Sequence, residues 1–321
     1  RNAGSIRKCH GDQSPWSHQN IANLFYGFQS FVNQFQANLI LLVTALIWGF
    51  GFVAQRMGMD HLGPYAFNVC RFLVGALSLL PLLFFLRKKE GGSTDFNPSF
   101  WKFSILAGFA LFGGATLQQV GIQYTTVGKA GFITGLYVVV VPILGLCLRQ
   151  KIGRWTVIGC ILAVLGLYFL SIKQDFSMGW GETLVLIGAF FWAVHVQVIG
   201  AANKRNLNPI KLALVQYLVC AALNLLLSLL FETFHLDQVI LTSGAILYAG
   251  IVSVGIAFTL QVIAQKRVDP SQAAIILNLE AVFAVLAGWL FFTEVLTTKE
   301  WLGCGLMFLG MILSQIKGQE Q

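Results

Sequence analysis

The residue of this sequence best placed to do chemistry is an acid buried in an apolar run. Glu280 stands about ten residues, and so roughly 15 Å, into a stretch near 270–292 that is long enough to cross a membrane. An acid at that depth must face protein or water and hold a partner or a proton. It reads as a proton-coupling group, as a carboxylate for a substrate amine, or as a neutral acid bonding two helices. His195 follows Trp192 by three residues, which puts both on one helical face, where the imidazole could relay a proton or serve as a hydrogen-bonded packing group. Trp48 and Gln55 share a face in the same way, with Phe52 between them. Gln118, Tyr137 and Gln261 are uncharged polar groups inside other apolar runs, suited to orienting a small solute or to bonding helix to helix. The expected substrate-binding set is therefore Trp48, Gln118, Tyr137, Trp192, Gln261 and Glu280, with Glu280 and His195 as the proton-coupling pair.

Other polar residues are expected to be structural. The long side chain of Arg71 should snorkel to the outer interface, Lys129 and Glu182 should be solvated interfacial charges, and Glu294 should cap or lie in a loop. Asn278, two residues before Glu280, should point to another face. The six cysteines fall in no metal-ligand spacing, and the chain has no Walker motif, HExxH or GxSxG. The run Gly49-x-Gly51-x-x-Ala54 imitates a dinucleotide fingerprint, but no strand precedes it. No catalytic residue, metal or cofactor is expected.

The elements that must carry these groups are membrane helices. The chain has 321 residues, 56% hydrophobic and 11% charged, against a charged share of about 25% in soluble domains. Apolar stretches lie at roughly 38–57, 64–86, 103–124, 127–148, 153–172, 180–201, 209–231, 243–265, 270–292 and 299–316. Little sequence remains for a soluble catalytic domain. Residues 1–36 are polar and are expected to form a poorly ordered extension.

The net charge of +8 raises the question of nucleic acid. However, if the N-terminus is cytoplasmic, sixteen of the 21 basic residues fall in cytoplasmic loops and ends, four on the other side, and Arg71 within a span. This is a topology signal with both termini inside, and no nucleic-acid partner is expected.

The chain is also doubled. Thr116-Leu117-Gln118 recurs as Thr259-Leu260-Gln261, Trp48 matches Trp192, Pro64 matches Pro209, Ala130 matches Ala273, and Gly159 and Gly166 match Gly303 and Gly310, at offsets of 143 to 145. Each copy holds five stretches. Five is odd, so the second copy must cross in the opposite sense to the first, as in inverted-repeat carriers. The expected fold is an all-α membrane protein of ten transmembrane helices, built as two inverted five-helix repeats at 37–174 and 175–317. The differences between the copies matter as well: Arg71, Tyr137 and Gly51 stand where the second copy has Gln216, Glu280 and His195.

The segments ALIWGFGFVAQR, RFLVGALSLLP, AGFITGLYVVVVPIL and LNLEAVFAVLAGWLFFTEVLTTKEWLGCGLMFLG resemble the EamA-domain transporters of the drug/metabolite transporter superfamily, from about residue 38 to 316 and twice over. That resemblance implies two inverted five-helix repeats around a central cavity, in a multi-pass inner-membrane carrier of small metabolites, amino acids or drugs, many members of the family being exporters. The expected partners are a small-molecule substrate, membrane lipid and, as a homodimer, a second copy of the chain. An organic-phosphate or nucleotide-sugar carrier is the alternative within this class, and a membrane-embedded enzyme the alternative outside it.

Overall fold

The computed structural model describes residues 33–87, 97–125, 127–171, 179–233, 235–292 and 297–314; Glu294 and most of the polar N-terminal segment lie outside them. Among the described residues the chain is helical and contains no strand. The elements are α1 (Gln34–Gly58), α2 (Pro64–Arg87), α3 (Pro98–Tyr124), α4 (Val127–Gly135), α5 (Tyr137–Cys147), α6 (Arg154–Ser171), α7 (Trp180–Asn203) and α8 (Pro209–Phe231). They are followed by α9 (Leu236–Leu241), α10 (Ser243–Leu247), a π-helix (Tyr248–Phe258), α11 (Thr259–Ala264), α12 (Pro270–Leu277), α13 (Glu280–Phe292) and α14 (Thr298–Ser314).

The helix starts are written in local chemistry. Proline opens α2, α3, α8 and α12, where its missing N–H leaves no intrahelical bond unmade. Asn97 accepts from the Phe100 N–H, and Asn208 from the N–H groups of Ile210 and Lys211. Asn33 and Gln36 cap α1 reciprocally at 2.8 and 2.9 Å, so ordered helix begins inside the segment expected to be an extension. The start of α2 has no side chain of its own to cap it. Glu232, just past the end of α8, supplies the acceptor, taking the N–H groups of Tyr65 and Ala66 at 2.9 and 2.7 Å. This carboxylate also meets the positive end of the helix dipole. Glu232→Ala should therefore lower stability by about 1 kcal/mol, and Glu232→Gln by less, read as the shift in thermal unfolding of the purified protein in detergent.

Among the described residues, eight helical stretches are long and apolar enough to cross a membrane, and two shorter apolar helices lie at Arg154–Phe169 and Trp301–Ser314. The molecule is inverted relative to a soluble one. Leu77, Phe84, Leu229, Ile161 and Trp289 face outward, whereas Asn68, Gln119, His195, Gln216 and Asn224 are fully enclosed. Enclosed polar groups find partners across helices: the Asn68 amide donates to Asn224 Oδ1 at 3.1 Å, and the Thr116 hydroxyl donates to the same oxygen at 3.0 Å. In lipid, where a polar group has no water to fall back on, this is where such bonds have to go.

Helix contacts exchange when the two halves of the chain are exchanged. α3 packs on α7 as the π-helix and α11 pack on α1; α4 and α5 pack on α7 as α12 and α13 pack on α1; α2 packs on the π-helix as α8 packs on α3. The pairs α2–α8 and α6–α14 map onto themselves. The α6–α14 pair meets through glycines: a Cβ at Gly159 would press on the Gly310 carbonyl, and one at Gly310 on that of Gly159, with Gly166 set against Gly303 in the same way. Absence of side chains lets these backbones touch.

Two apolar runs that read as single helices are interrupted at related positions. α4 gives way to α5 at Leu136, and α12 to α13 at Asn278 and Leu279. The breaks face one another, since a Cβ at Gly135 would overlap Asn278 Oδ1. Asn278 is fully buried at its break, its amide oxygen and nitrogen both without partners.

Candidate functional site

The faces of ten elements converge on one cavity. Its lining is Trp48, Phe52 and Gln55 from α1, Arg71 from α2, Gln118 from α3, Thr134 from α4 and Tyr137 from α5, then Trp192 and Val196 from α7. Ser253 and Phe258 from the π-helix, Gln261 from α11, Leu277 from α12 and Glu280 from α13 complete it. The unfilled space, mouth included, is about 530 Å³. Trp48, Phe52 and Gln55 reach it together because positions i, i+4 and i+7 lie along one stripe of α1. Tyr137 and Glu280 reach it because each opens a new helix directly after a break, where the turn of the chain re-aims the side chain.

One wall is an aromatic cluster centred on Phe258. Its ring stacks on Trp192 at 5.8 Å and 16°, and meets Trp48 at 4.6 Å in a tilted arrangement. His195 and Tyr217 support it from behind, at 5.9 and 6.3 Å. The π-helix aids this packing. The Trp48 indole N–H donates to the Ser253 carbonyl at 3.2 Å, and the Tyr217 hydroxyl donates to that of Val254 at 2.9 Å, so two carbonyls of the π-helical stretch accept from side chains of other helices. Irregular helix of this kind is tolerated in a membrane where neighbouring groups satisfy the backbone.

A second wall is polar and organised by Gln118. Its amide donates to Gln55 Oε1 at 3.3 Å, and its oxygen accepts from the Trp192 indole at 2.9 Å and the Thr134 hydroxyl at 3.4 Å. The neighbouring Gln119 donates to the Gln55 carbonyl at 3.2 Å, which fixes α3 to α1. Gln118→Leu would strand a buried indole N–H and a buried hydroxyl at once. A loss of about 1–3 kcal/mol of stability is expected, together with a shift of tryptophan emission as Trp192 loses its acceptor. Gln118→Glu, which keeps both acceptor contacts, should leave the emission much closer to wild type.

The third wall is left open to a guest. Arg71 Nε, the Tyr137 hydroxyl and Gln261 Oε1 are all buried without a hydrogen-bond partner. Glu280 is 5% exposed, lies within electrostatic reach of Tyr137, and pairs with no cation among the described residues. Buried polar atoms are rarely left unpaired in folded proteins, and a cluster of them around a cavity marks where a solute or water bonds. The doubled glutamines show the contrast: the oxygen of Gln118 is taken twice by protein donors, whereas the oxygen of its repeat partner Gln261 is free.

The six residues expected to bind substrate all lie on this cavity. His195 does not line it; it is fully buried behind Phe258, its Nε2 bonded to Gln216 Oε1 at 2.9 Å. Arg71 departs from its expected place. It does not reach for the interface but is 5% exposed, with its guanidinium over Phe72 at 5.0 Å and Phe67 at 5.8 Å. The reason lies across the repeat. His195 fills, against Gln216, the place that Gly51 leaves empty in the first half, and a Cβ at Gly51 would touch Ser253 and Gln55 only at ordinary contact distance. Glu182, expected to be solvated, is 8% exposed and accepts from the Gly179 N–H at 3.0 Å and the Thr125 hydroxyl at 2.6 Å, a cap on α7. Phe258 was not singled out by sequence. The available signal was its repeat partner, Ala115, a change from methyl to ring just before the shared Thr-Leu-Gln.

Two stretches of the chain, residues 35–172 and 179–315, match the EamA-like transporter family. A protein of the archaeon Archaeoglobus fulgidus, named an uncharacterized transporter, is 33% identical over 288 residues, which cover 89% of this chain and 88% of that protein. The uncharacterized transporter YoaV of Bacillus subtilis is 25% identical over 280 residues, 85% of this chain and 94% of its own. The uncharacterized inner membrane transporter YedA of Escherichia coli is 25% identical over 286 residues, covering 85% and 88%. A solved crystal structure shares the fold with a TM-score of 0.71 at 19% identity, over 87% of this chain and 96% of the other.

Proposed function

The chain belongs to the EamA-like transporter family of multi-pass membrane proteins, and on that premise we propose that it is a secondary carrier of small organic solutes working by alternating access. The observation that carries the reading is the cavity itself: it is lined by repeat-related residues of both halves, Trp48 with Trp192, Gln118 with Gln261 and Tyr137 with Glu280. A rocking of one half against the other would change which side of the membrane this lining faces while leaving most of its groups in place.

In this reading the chain crosses the membrane ten times as two inverted five-helix repeats, with α6 and α14 as the fifth and tenth spans and both termini cytoplasmic. The exchange symmetry of the helix contacts supports it, and so does the weighting of basic residues toward one side. The protein sits in the cell's inner membrane and moves solutes outward. Glu280 takes up and releases the coupling proton when the cavity opens to water. His195 serves the same coupling from behind the aromatic wall, through the ring of Phe258 and the bond to Gln216. The placement of Arg71 in the cavity gives the organic-phosphate carrier, the second reading, an observation of its own.

Proteoliposomes preloaded with a mixed pool of small organic solutes, with and without an imposed pH gradient, test the proposal. Loss of at least one internal solute, or its exchange for external solute, is expected, the net loss being faster when the gradient drives protons inward against outward solute flow. Vesicles that neither release nor exchange any of them under either gradient would reject it.

A further inference from the structure

Among the described residues Arg71 is the one strong cation brought into the cavity, and no acid there pairs with its charge. Among the described residues no carboxylate pairs with it; the polar side chains it shares the cavity with are Gln55, Gln118, Thr134, Tyr137, Ser253, Gln261 and Glu280. Its Nε is buried and without a partner. The rings of Phe72 and Phe67 hold the guanidinium by its face, an attraction that leaves the edge donors unspent. A buried guanidinium with free edge donors is complementary to an oxyanion, which it can bind with two parallel hydrogen bonds.

The repeat makes the placement pointed. At the equivalent site of the second half the scaffold carries neutral Gln216, whose oxygen is bonded to His195 Nε2 at 2.9 Å, while its amide nitrogen and His195 Nδ1 are buried without partners. In the first half the bonding side chain is missing, because Gly51 stands in place of His195. The space beside Gly51 is bordered instead by Ser253 and Gln55, which line the same cavity as Arg71. One half of the scaffold thus joins a neutral polar pair away from the cavity lining, and the other holds a cation at the cavity.

We propose that Arg71 sets the substrate class of the carrier: it selects solutes that bear an oxyanion, a carboxylate or phosphate, on an apolar body that lies along Trp48, Trp192 and Phe258. The inference rests on the reading of this cavity as a transport site. Arg71 acts here as a specificity residue touching the solute, distinct from the proton-handling Glu280 on α13.

The test is an isosteric series on the purified full chain: 3-phenylpropionate and phenethyl phosphate as anions, 3-phenylpropanamide as the neutral analogue and 3-phenylpropylamine as the cation. Binding is read by calorimetry in detergent, and exchange in proteoliposomes. Wild type should bind at least one anion about tenfold or more tighter than the amide, a difference in the range of a charge-assisted over a neutral hydrogen bond, and the amine more weakly still. The carboxylate and phosphate arms tell which head is preferred. Arg71→Gln, which installs the residue of the repeat partner, should keep amide binding and lose the preference for the anion. Arg71→Lys should keep part of that preference.

Equal binding of anion and amide by wild type overturns the proposal whether or not any variant folds, and so does an Arg71→Gln protein that retains the anion preference. Exchange of the amide or amine with no advantage for the anions defeats the inference while leaving the carrier reading intact. Clear binding of an anion with no exchange of any probe supports the inference and counts against the carrier reading.

Discussion

Glu280→Gln is expected to cut proton-driven net transport about tenfold or more and to erase its dependence on an imposed pH gradient, while exchange of solute for solute persists. Glutamine keeps the size of the side chain and its capacity to hydrogen-bond but cannot ionise, so only the step in which a proton is taken up or released is removed. The geometry makes this separable. Glu280 is 5% exposed, opens α13 directly after the break at Asn278 and Leu279, and pairs with no cation among the described residues. If it were merely a bond between helices, glutamine would serve nearly as well, and both transport and stability would be little changed. Initial rates in proteoliposomes at several internal and external pH values decide the matter. A Glu280→Gln carrier with the pH profile of wild type would sink the coupling role. Restoration by Glu280→Asp, whose shorter arm still ionises, is the companion result.

The second large effect falls far from the cavity, where the first and second halves of the chain close on each other. Gly159 and Gly310 approach so that a Cβ on either would lie 2.8 Å from the carbonyl oxygen of the other, with Ser314 Cβ at 3.0 Å from the new atom on Gly159. The two carbonyls are backbone, which cannot swing away as a flexible side chain can. Gly159→Leu or Gly310→Leu must force α6 and α14 apart along their shared length, at a cost of about 1–3 kcal/mol or more. The double variant should cost less than the sum of the two single ones, because a pair already separated has room for the second side chain. Unfolding in graded denaturing detergent measures this. Additive losses would mean that the two glycines do not share one contact. Solute affinity should change little in variants that remain folded, since neither residue lines the cavity.

How much of this could be seen beforehand varies with the kind of residue. The starts of α2, α8 and α12 fall at 64, 209 and 270, where the apolar stretches were expected to begin, each on a proline whose missing N–H acts within one turn of chain, whereas α3 starts at Pro98, five residues before the expected 103. The convergence of Trp48, Gln118, Tyr137, Trp192, Gln261 and Glu280 was anticipated from their depth in apolar runs and their repeat matching. A polar or amphipathic group in the middle of a membrane helix has few places to point other than inward. The breaks at Leu136 and at Asn278 and Leu279 were not anticipated. AGFITGLYVVVVPIL and AAIILNLEAVFAV are as apolar as an unbroken helix would be, and the breaks meet across the structure, with Gly135 set against the Asn278 side chain. The π-helix is hidden in the same way, since its carbonyls are claimed by Trp48 and Tyr217, more than 200 and 37 positions distant in sequence.

By itself, then, the sequence determined that this protein is an all-helical membrane protein, doubled, with an acid held within an apolar run. Those properties follow from solvent: lipid sorts side chains by polarity along each helix, and sorting is a property of composition and period that requires no partner. Only the tertiary structure decided what each inward-facing polar group does there. It engaged the oxygen of Gln118 and left that of Gln261 open, it closed His195 on Gln216 behind the aromatic wall, and it brought Arg71 in from the interface. Hydrogen bonds and close packing are contacts between residues remote in sequence. Whether a buried donor is spent or left for a guest depends on which residues are missing opposite it, and here the decisive absence is the side chain that Gly51 does not have.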